Sequence, residues 1–135
     1  MVRTIFGTFS GALVASLALV GCWYGIAQIH PLPTSTDWAT PDSLSDYAAA
    51  TPSSALACIL GAWALAALLG GWTAARISNA HRGGAALAIG GLLTAAVLVY
   101  ATLIPNVDWM TVVGVMLPIP FALIAALMAM PRDEI

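Results

Sequence analysis

The chain contains no lysine. Its whole basic complement is four arginines, set against six acidic residues in 135, and only 7% of residues are charged. Soluble domains carry about 25% charged residues, and a water-exposed fold of this size needs a far more polar surface than this chain supplies. A net charge of −2 excludes an electrostatic nucleic-acid binder. Two cysteines and two histidines leave little for a disulfide framework or a metal cluster. GxSxG, HExxH, CxxC and phosphate-loop patterns are all missing, which argues against catalysis by this chain. The most telling scarcity is positional. Every Arg, Asp, Glu and His falls at or beyond the end of a long apolar run, although an ionisable residue inside a membrane span is the usual mark of a proton relay or ion-coupled carrier.

What is present is apolar: 61% of residues are hydrophobic and the mean hydropathy is +0.94. Four runs reach the roughly 20 residues that cross a bilayer. They cover about residues 4–29, 53–77, 85–104 and 109–130, separated by a loop over 30–52, a short turn near 78–84 and a break at Pro105-Asn106. The expected fold is all-α: one polytopic domain over residues 1–135 with four transmembrane helices. No sizeable soluble domain remains.

The arginines orient it. Arg3 precedes the first run, Arg76 and Arg82 flank the turn between the second and third, and Arg132 follows the fourth. Asp37, Asp42 and Asp46 lie in the first loop, and Asp108 lies between runs three and four. Basic residues near span ends stay on the cytoplasmic side, so the expected arrangement is multi-pass in a bacterial inner membrane with both termini cytoplasmic. Trp23, Tyr24, Tyr100 and Trp109 then lie toward the outer surface, and Phe6, Phe9 and Trp72 toward the inner one, as an interfacial belt. Trp63 lies deeper, where its indole N–H needs a partner, either within the chain or on another subunit.

Prolines punctuate the chain. His30-Pro31-Leu32-Pro33 stops the first helix, because proline disfavours helix in the residue before it. Thr40-Pro41-Asp42-Ser43 and Thr51-Pro52-Ser53-Ser54 each read as an N-cap threonine with proline at the first helical position. The first pattern predicts a short helix in the outer loop, presenting Leu44, Tyr47 and Ala48 on one face toward the membrane surface. The second opens span two. Pro118 and Pro120 fall inside span four, where each removes a backbone hydrogen bond and predicts a kink.

Small residues recur at four-residue spacing: Gly7, Gly11 and Ala15; Gly21 and Gly25; Ala66, Gly70 and Ala74 beside Ala67, Gly71 and Ala75; Ala86 with Gly90; Gly91 with Ala95. Ala122 with Ala126 and Ala125 with Ala129 continue the pattern in span four. Such series let helix backbones approach closely in lipid. They serve either to pack the four spans together or to dock another protein or copy, with span one the prime candidate for docking.

Other constellations have plain alternatives. His30 and His81 should stand on opposite sides of the bilayer, so this chain does not supply a bis-histidine haem site. His30 near Asp37 reads as a solvated loop pair or as part of a site shared with a partner. Cys22 and Cys58 fall at similar depths, as two free thiols or as a bridge. Leu19-Val20-Gly21-Cys22 has the form of a bacterial lipoprotein signal box, yet the residues after Cys22 stay apolar through Ile29, as expected of a continuing helix.

His30-Pro31-Leu32-Pro33, Leu44-Ser45-Asp46-Tyr47, Gly70-Gly71-Trp72-Thr73-Ala74-Ala75-Arg76 and Ile104-Pro105 with Trp109 together resemble a set of uncharacterised small four-span membrane proteins of proteobacteria. The resemblance runs from about Gly21 to Ala129. It implies the four-span fold and carries no activity, cofactor or functional residue. The expected function is that of a non-catalytic accessory or structural subunit without a cofactor. Its partners are the lipid bilayer and other transmembrane subunits of a respiratory or photosynthetic complex, or copies of itself. The alternative is a small channel or carrier for a neutral solute, built around the Pro118–Pro120 break.

Overall fold

The computed structural model describes residues 1–31, 39–78, 80–104 and 108–130. Pro33, Asp37, Pro105, Pro131 and Arg132 lie outside the described residues. The described chain is helical: α1 (Val2–Ile29), α2 (Pro41–Ala50), α3 (Ser53–Ile77), α4 (Arg82–Leu103), α5 (Asp108–Met116) and α6 (Pro118–Ala129), with no strand among the described residues. α1, α3, α4 and the α5–α6 pair are each long and apolar enough to cross a membrane. The protein is therefore an all-α chain with four membrane-compatible helices.

The punctuation acts as its chemistry dictates, with two corrections. α1 ends at Ile29, and the His30 N–H donates back to the Ile26 carbonyl at 2.7 Å before Pro31. α2 starts at Pro41 with Asp42 in its first turn, where the positive helix end favours a carboxylate. Thr51 is not the N-cap of α3. It closes α2 instead, its hydroxyl donating to the Tyr47 carbonyl at 2.7 Å. Pro52 takes the N-cap place, and its carbonyl accepts the Ala55 and Leu56 N–H groups at 3.0 and 3.2 Å. Proline fits there because it has no N–H to satisfy. The second correction is at Gly83 and Gly84, expected in a turn. Both belong to the first turn of α4, which begins at Arg82 with the Ala85 N–H bonded to the His81 carbonyl at 3.0 Å.

The α5–α6 break falls at Leu117, whose backbone keeps helical angles of −69° and −46°. Leu117 donates to Val113 at 2.9 Å and accepts from Phe121 at 3.3 Å, so the helix kinks without unwinding. Pro118 and Pro120 bring no N–H for the Gly114 and Met116 carbonyls. Between those two, the Val115 carbonyl accepts the Thr94 hydroxyl from α4 at 3.5 Å.

α3 is the hub, packing against α1, α4 and α6 and touching α5. Its small residues form two lines one position apart, about 100° round the helix. Gly70 and Ala74 face α1, while Gly71 faces Ala122 of α6. A second contrast runs along the axis. The Arg76 end of the bundle is filled mostly by small residues, Ala66, Ala67, Ala74 and Ala85 with Ile89 and Leu93 in one cluster and Ala75, Ala86, Ala126 and Ala129 in another. The Ser53 end is filled by Leu56, Ile59, Leu60 and Met110, with Trp63 against them. The helices thus meet through small residues at one end and through larger side chains at the other.

Candidate functional site: the two halves of α1

α1 is 28 residues long, and only Gly7, Gly11 and Ala15 are buried along it. These three seat its first half on α3. A Cβ placed on Gly11 would lie 2.6 Å from the Gly70 carbonyl oxygen and 2.7 Å from the Ala74 methyl. Reciprocally, a Cβ on Gly70 would lie 2.7 Å from Ala15 and 2.8 Å from the Gly11 carbonyl oxygen. At Gly7 it would collide with the Ser78 hydroxyl and come to 3.0 Å of the Ala74 carbonyl oxygen. Ser78 is itself fully buried, and its hydroxyl donates to the Thr4 carbonyl of α1 at 3.4 Å. Glycine is required at Gly11 by this backbone-to-backbone approach, which leaves no room for any side chain.

The second half of α1 differs. A Cβ at Gly21 or Gly25 would have no atom within 4 Å, and the same holds at Gly91 on α4. These three of the expected packing glycines therefore do not pack against other helices of this chain. Gly71 and Gly90 do: Cβ atoms there would lie 3.1 Å from Ala122, and the one on Gly90 3.2 Å from Ile119. On the outward side of α1, Ile5, Phe6, Phe9, Leu13, Leu17, Val20 and Tyr24 are all more than half exposed. A contiguous apolar surface of this kind is intolerable in water and ordinary in lipid.

Gly114 was not among the expected packing residues. It lies directly beneath the Trp63 ring, and a Cβ there would strike it. Trp63 in turn meets Tyr100 edge to face, at 5.5 Å between centroids and 78° between planes. Trp63 therefore has an intrachain packing role. Gly114 is the lone glycine of span four, placed where a long span-two aromatic needs room, and that pairing was the available signal.

The charged residues separate by end. Arg3 opens α1, Arg76 lies in the last turn of α3 and Arg82 opens α4, all at the tightly packed end. The Arg76 guanidinium lies 5.2 Å from the Trp72 ring centroid, a cation–π contact that anchors this rim. Asp42 and Asp46 on α2 and Asp108 at the start of α5 stand at the other end. His30 is there too, its Nε2 3.5 Å from the Ser54 hydroxyl, whereas His81 caps α4 at the arginine end. Among the described residues, no three His, Cys, Asp or Glu side chains gather as metal ligands. Cys22 is half-buried, Cys58 is exposed, and both are free thiols rather than a bridge. α1 continues as helix through Cys22 to Ile29.

Pro118 is fully buried, and the break is occupied by protein: Gly90 of α4 lies against Pro118, Ile119 and Ala122. Comparison with protein-family models, curated proteins and solved structures returns no match. The functional reading therefore rests on this geometry.

Proposed function

We propose that this chain is a non-catalytic, multi-pass subunit of a bacterial inner membrane. Both termini are cytoplasmic, and it associates through α1 with transmembrane helices of a larger complex or of its own copies. The observation that carries the reading is the division of α1. Its first four-spaced small-residue series is consumed by α3, whereas Gly21 and Gly25 form a second series with open space over both. A GxxxG face turned toward lipid has the geometry that lets a further helix approach backbone to backbone. The gathering of Arg3, Arg76 and Arg82 at one end supports the orientation. Ionisable side chains at helix ends rather than mid-span support a role without chemistry. The alternative, a conduit at the Pro118–Pro120 break, finds less support, because Gly90 and Ala122 fill that place.

The test is purification in mild detergent of the wild type and of a Gly21→Ile/Gly25→Ile double variant. The wild type should elute with other transmembrane chains or as a homo-oligomer. The double variant should lose that association and keep its thermal unfolding midpoint, since neither Cβ position meets another atom within the chain. A wild type that is a lone monomer, or a double variant that keeps its partners, refutes the reading.

A further inference from the structure

The outward face of α3 carries one line of exposed side chains, Leu65, Leu69, Trp72 and Arg76. Steps of four, three and four residues keep all four within about 60° of one another round the helix. The line runs about 16 Å from Leu65 to Arg76 at ~1.5 Å per residue, and half of a ~30 Å hydrocarbon core is about 15 Å. It is therefore apolar for the depth of one leaflet and ends in a cation. The Arg76 guanidinium lies over the Trp72 ring, 5.2 Å from its centroid. A cation–π contact uses the charge and spends no N–H donor. The ring thus steadies the guanidinium and leaves its donors to an acceptor at the membrane surface.

We propose that this line binds an anionic phospholipid of the phosphatidylglycerol type, with its phosphate on Arg76 and an acyl chain along Trp72, Leu69 and Leu65. Side-chain size selects a lipid over a helix. Close helix docking in a bilayer favours small residues, and this line presents two leucines and a tryptophan, unlike the open Gly21–Gly25 face. Charge selects the head. The guanidinium fork matches a phosphate bidentately. Acyl chains are common to all bilayer lipids, so their contacts give no preference among them. A zwitterionic head brings an ammonium with its phosphate, and Arg76 repels the one as it attracts the other. The described carboxylates, Asp42, Asp46 and Asp108, stand at the opposite end of the bundle, so none of them receives that ammonium. A head with a phosphate and no ammonium gains the arginine without this cost.

The proposal rests on the four spans lying in a membrane and not on α1 having a partner, so the two fail separately. The chain in mild detergent is equilibrated with equal amounts of dioleoylphosphatidylglycerol and dioleoylphosphatidylcholine, and bound lipid is counted by native mass spectrometry. Phosphatidylglycerol should be preferred about fivefold, the effect of one basic residue on an anionic lipid. Arg76→Gln should remove most of the preference. Arg76→Lys should keep part of it, since an ammonium has the charge without the fork. Gly21→Ile/Gly25→Ile should leave it unchanged, and Arg3→Gln should change it much less than Arg76→Gln does. If Arg76→Gln does not fold, Trp72→Leu tests the site by removing the ring, and should lower the preference about twofold with Arg76 in place. Equal binding of the two lipids by the wild type overturns the proposal. So does an equal loss from Arg3→Gln, because the preference would then belong to the whole basic rim. A preference that appears only after Asp133→Asn/Glu134→Gln also overturns it, because the chain's own terminal carboxylates would then hold Arg76.

Discussion

Replacing Gly11 by alanine adds one methyl group where a helical glycine comes closest to the backbone of another helix among the described residues. That methyl would sit 2.6 Å from the Gly70 carbonyl oxygen and 2.7 Å from the Ala74 Cβ. Neither atom is the end of a flexible side chain, so no rotamer change relieves the overlap. α1 must move off α3 by somewhat under 1 Å to restore van der Waals contact, and a gap of 0.5–1 Å forfeits about a quarter to a half of each neighbouring dispersion contact. Gly7 and Ala15 share the interface, so they lose contact with it. Overpacking of this kind costs about 1–3 kcal/mol. Helix propensity works the other way, since alanine in a helix interior is favoured over glycine by about 1 kcal/mol.

Gly21→Ala isolates the two effects. It lies in the same helix with the same change of propensity, but no atom stands within 4 Å of its new methyl. The propensity gain cancels in the comparison, and Gly11→Ala should be less stable than Gly21→Ala by about 1–3 kcal/mol. Reversible unfolding in mixed micelles, with increasing mole fraction of a denaturing detergent, measures the difference. Equal stability of the two variants would refute the assignment of α1's packing face.

Three further outcomes follow from the same geometry. Gly7→Ala should cost less than Gly11→Ala, because its nearest obstacle is the Ser78 hydroxyl, which Ser78→Ala removes; a double-mutant cycle should therefore show a favourable coupling of about 0.5–1 kcal/mol. Gly114→Ala should displace the Trp63 ring from its edge-to-face contact with Tyr100, lowering stability by about 1–3 kcal/mol and changing the near-ultraviolet dichroism. Single cysteines at Ser45 and His81, in a Cys22→Ala/Cys58→Ala background, should react with an impermeant maleimide from opposite sides of a sealed vesicle, since α2 and the α3–α4 turn stand at opposite ends. Labelling of His81→Cys from the periplasmic side would reverse the proposed orientation.

The spans were legible because their limits are covalent. Pro31 ends α1, Pro41 starts α2, and Pro52 precedes α3, each by fixing φ or lacking an N–H. The errors arose where one residue had two possible local partners. Thr51 could cap forward onto α3 or back onto α2, and the back-bond to Tyr47 prevailed. Gly83-Gly84 reads as a turn, yet α4 begins at Arg82 and absorbs both glycines. The division between Gly11 and Gly21 was not legible. Both sit in four-spaced small-residue series on one helix, and local pattern does not record which face meets α3.

The deeper regularity is the gradient along α3, and the sequence does contain it. Leu56, Ile59, Leu60 and Trp63 occupy its first half, and Ala66, Ala67, Gly70, Gly71, Ala74 and Ala75 its second. In a bundle where α3 touches every other long helix, side-chain volume along this helix sets the local spacing of its neighbours. Small residues bring α1 within backbone contact at the arginine end. At the α2 end the contact passes through side chains, with Ile26 of α1 packed against the cluster of Leu56, Ile59, Leu60 and Met110. Gly21 and Gly25 lie on a neighbouring, exposed face of α1 beside Cys22 and Ile26, which is why they have no intrachain contacts while Gly7 and Gly11 do. At the proline break, Gly90 and Ala122 let α4 and α6 close. Enlarging Gly70 should therefore loosen the arginine end of the α1–α3 seam and leave the Gly21–Gly25 face unchanged.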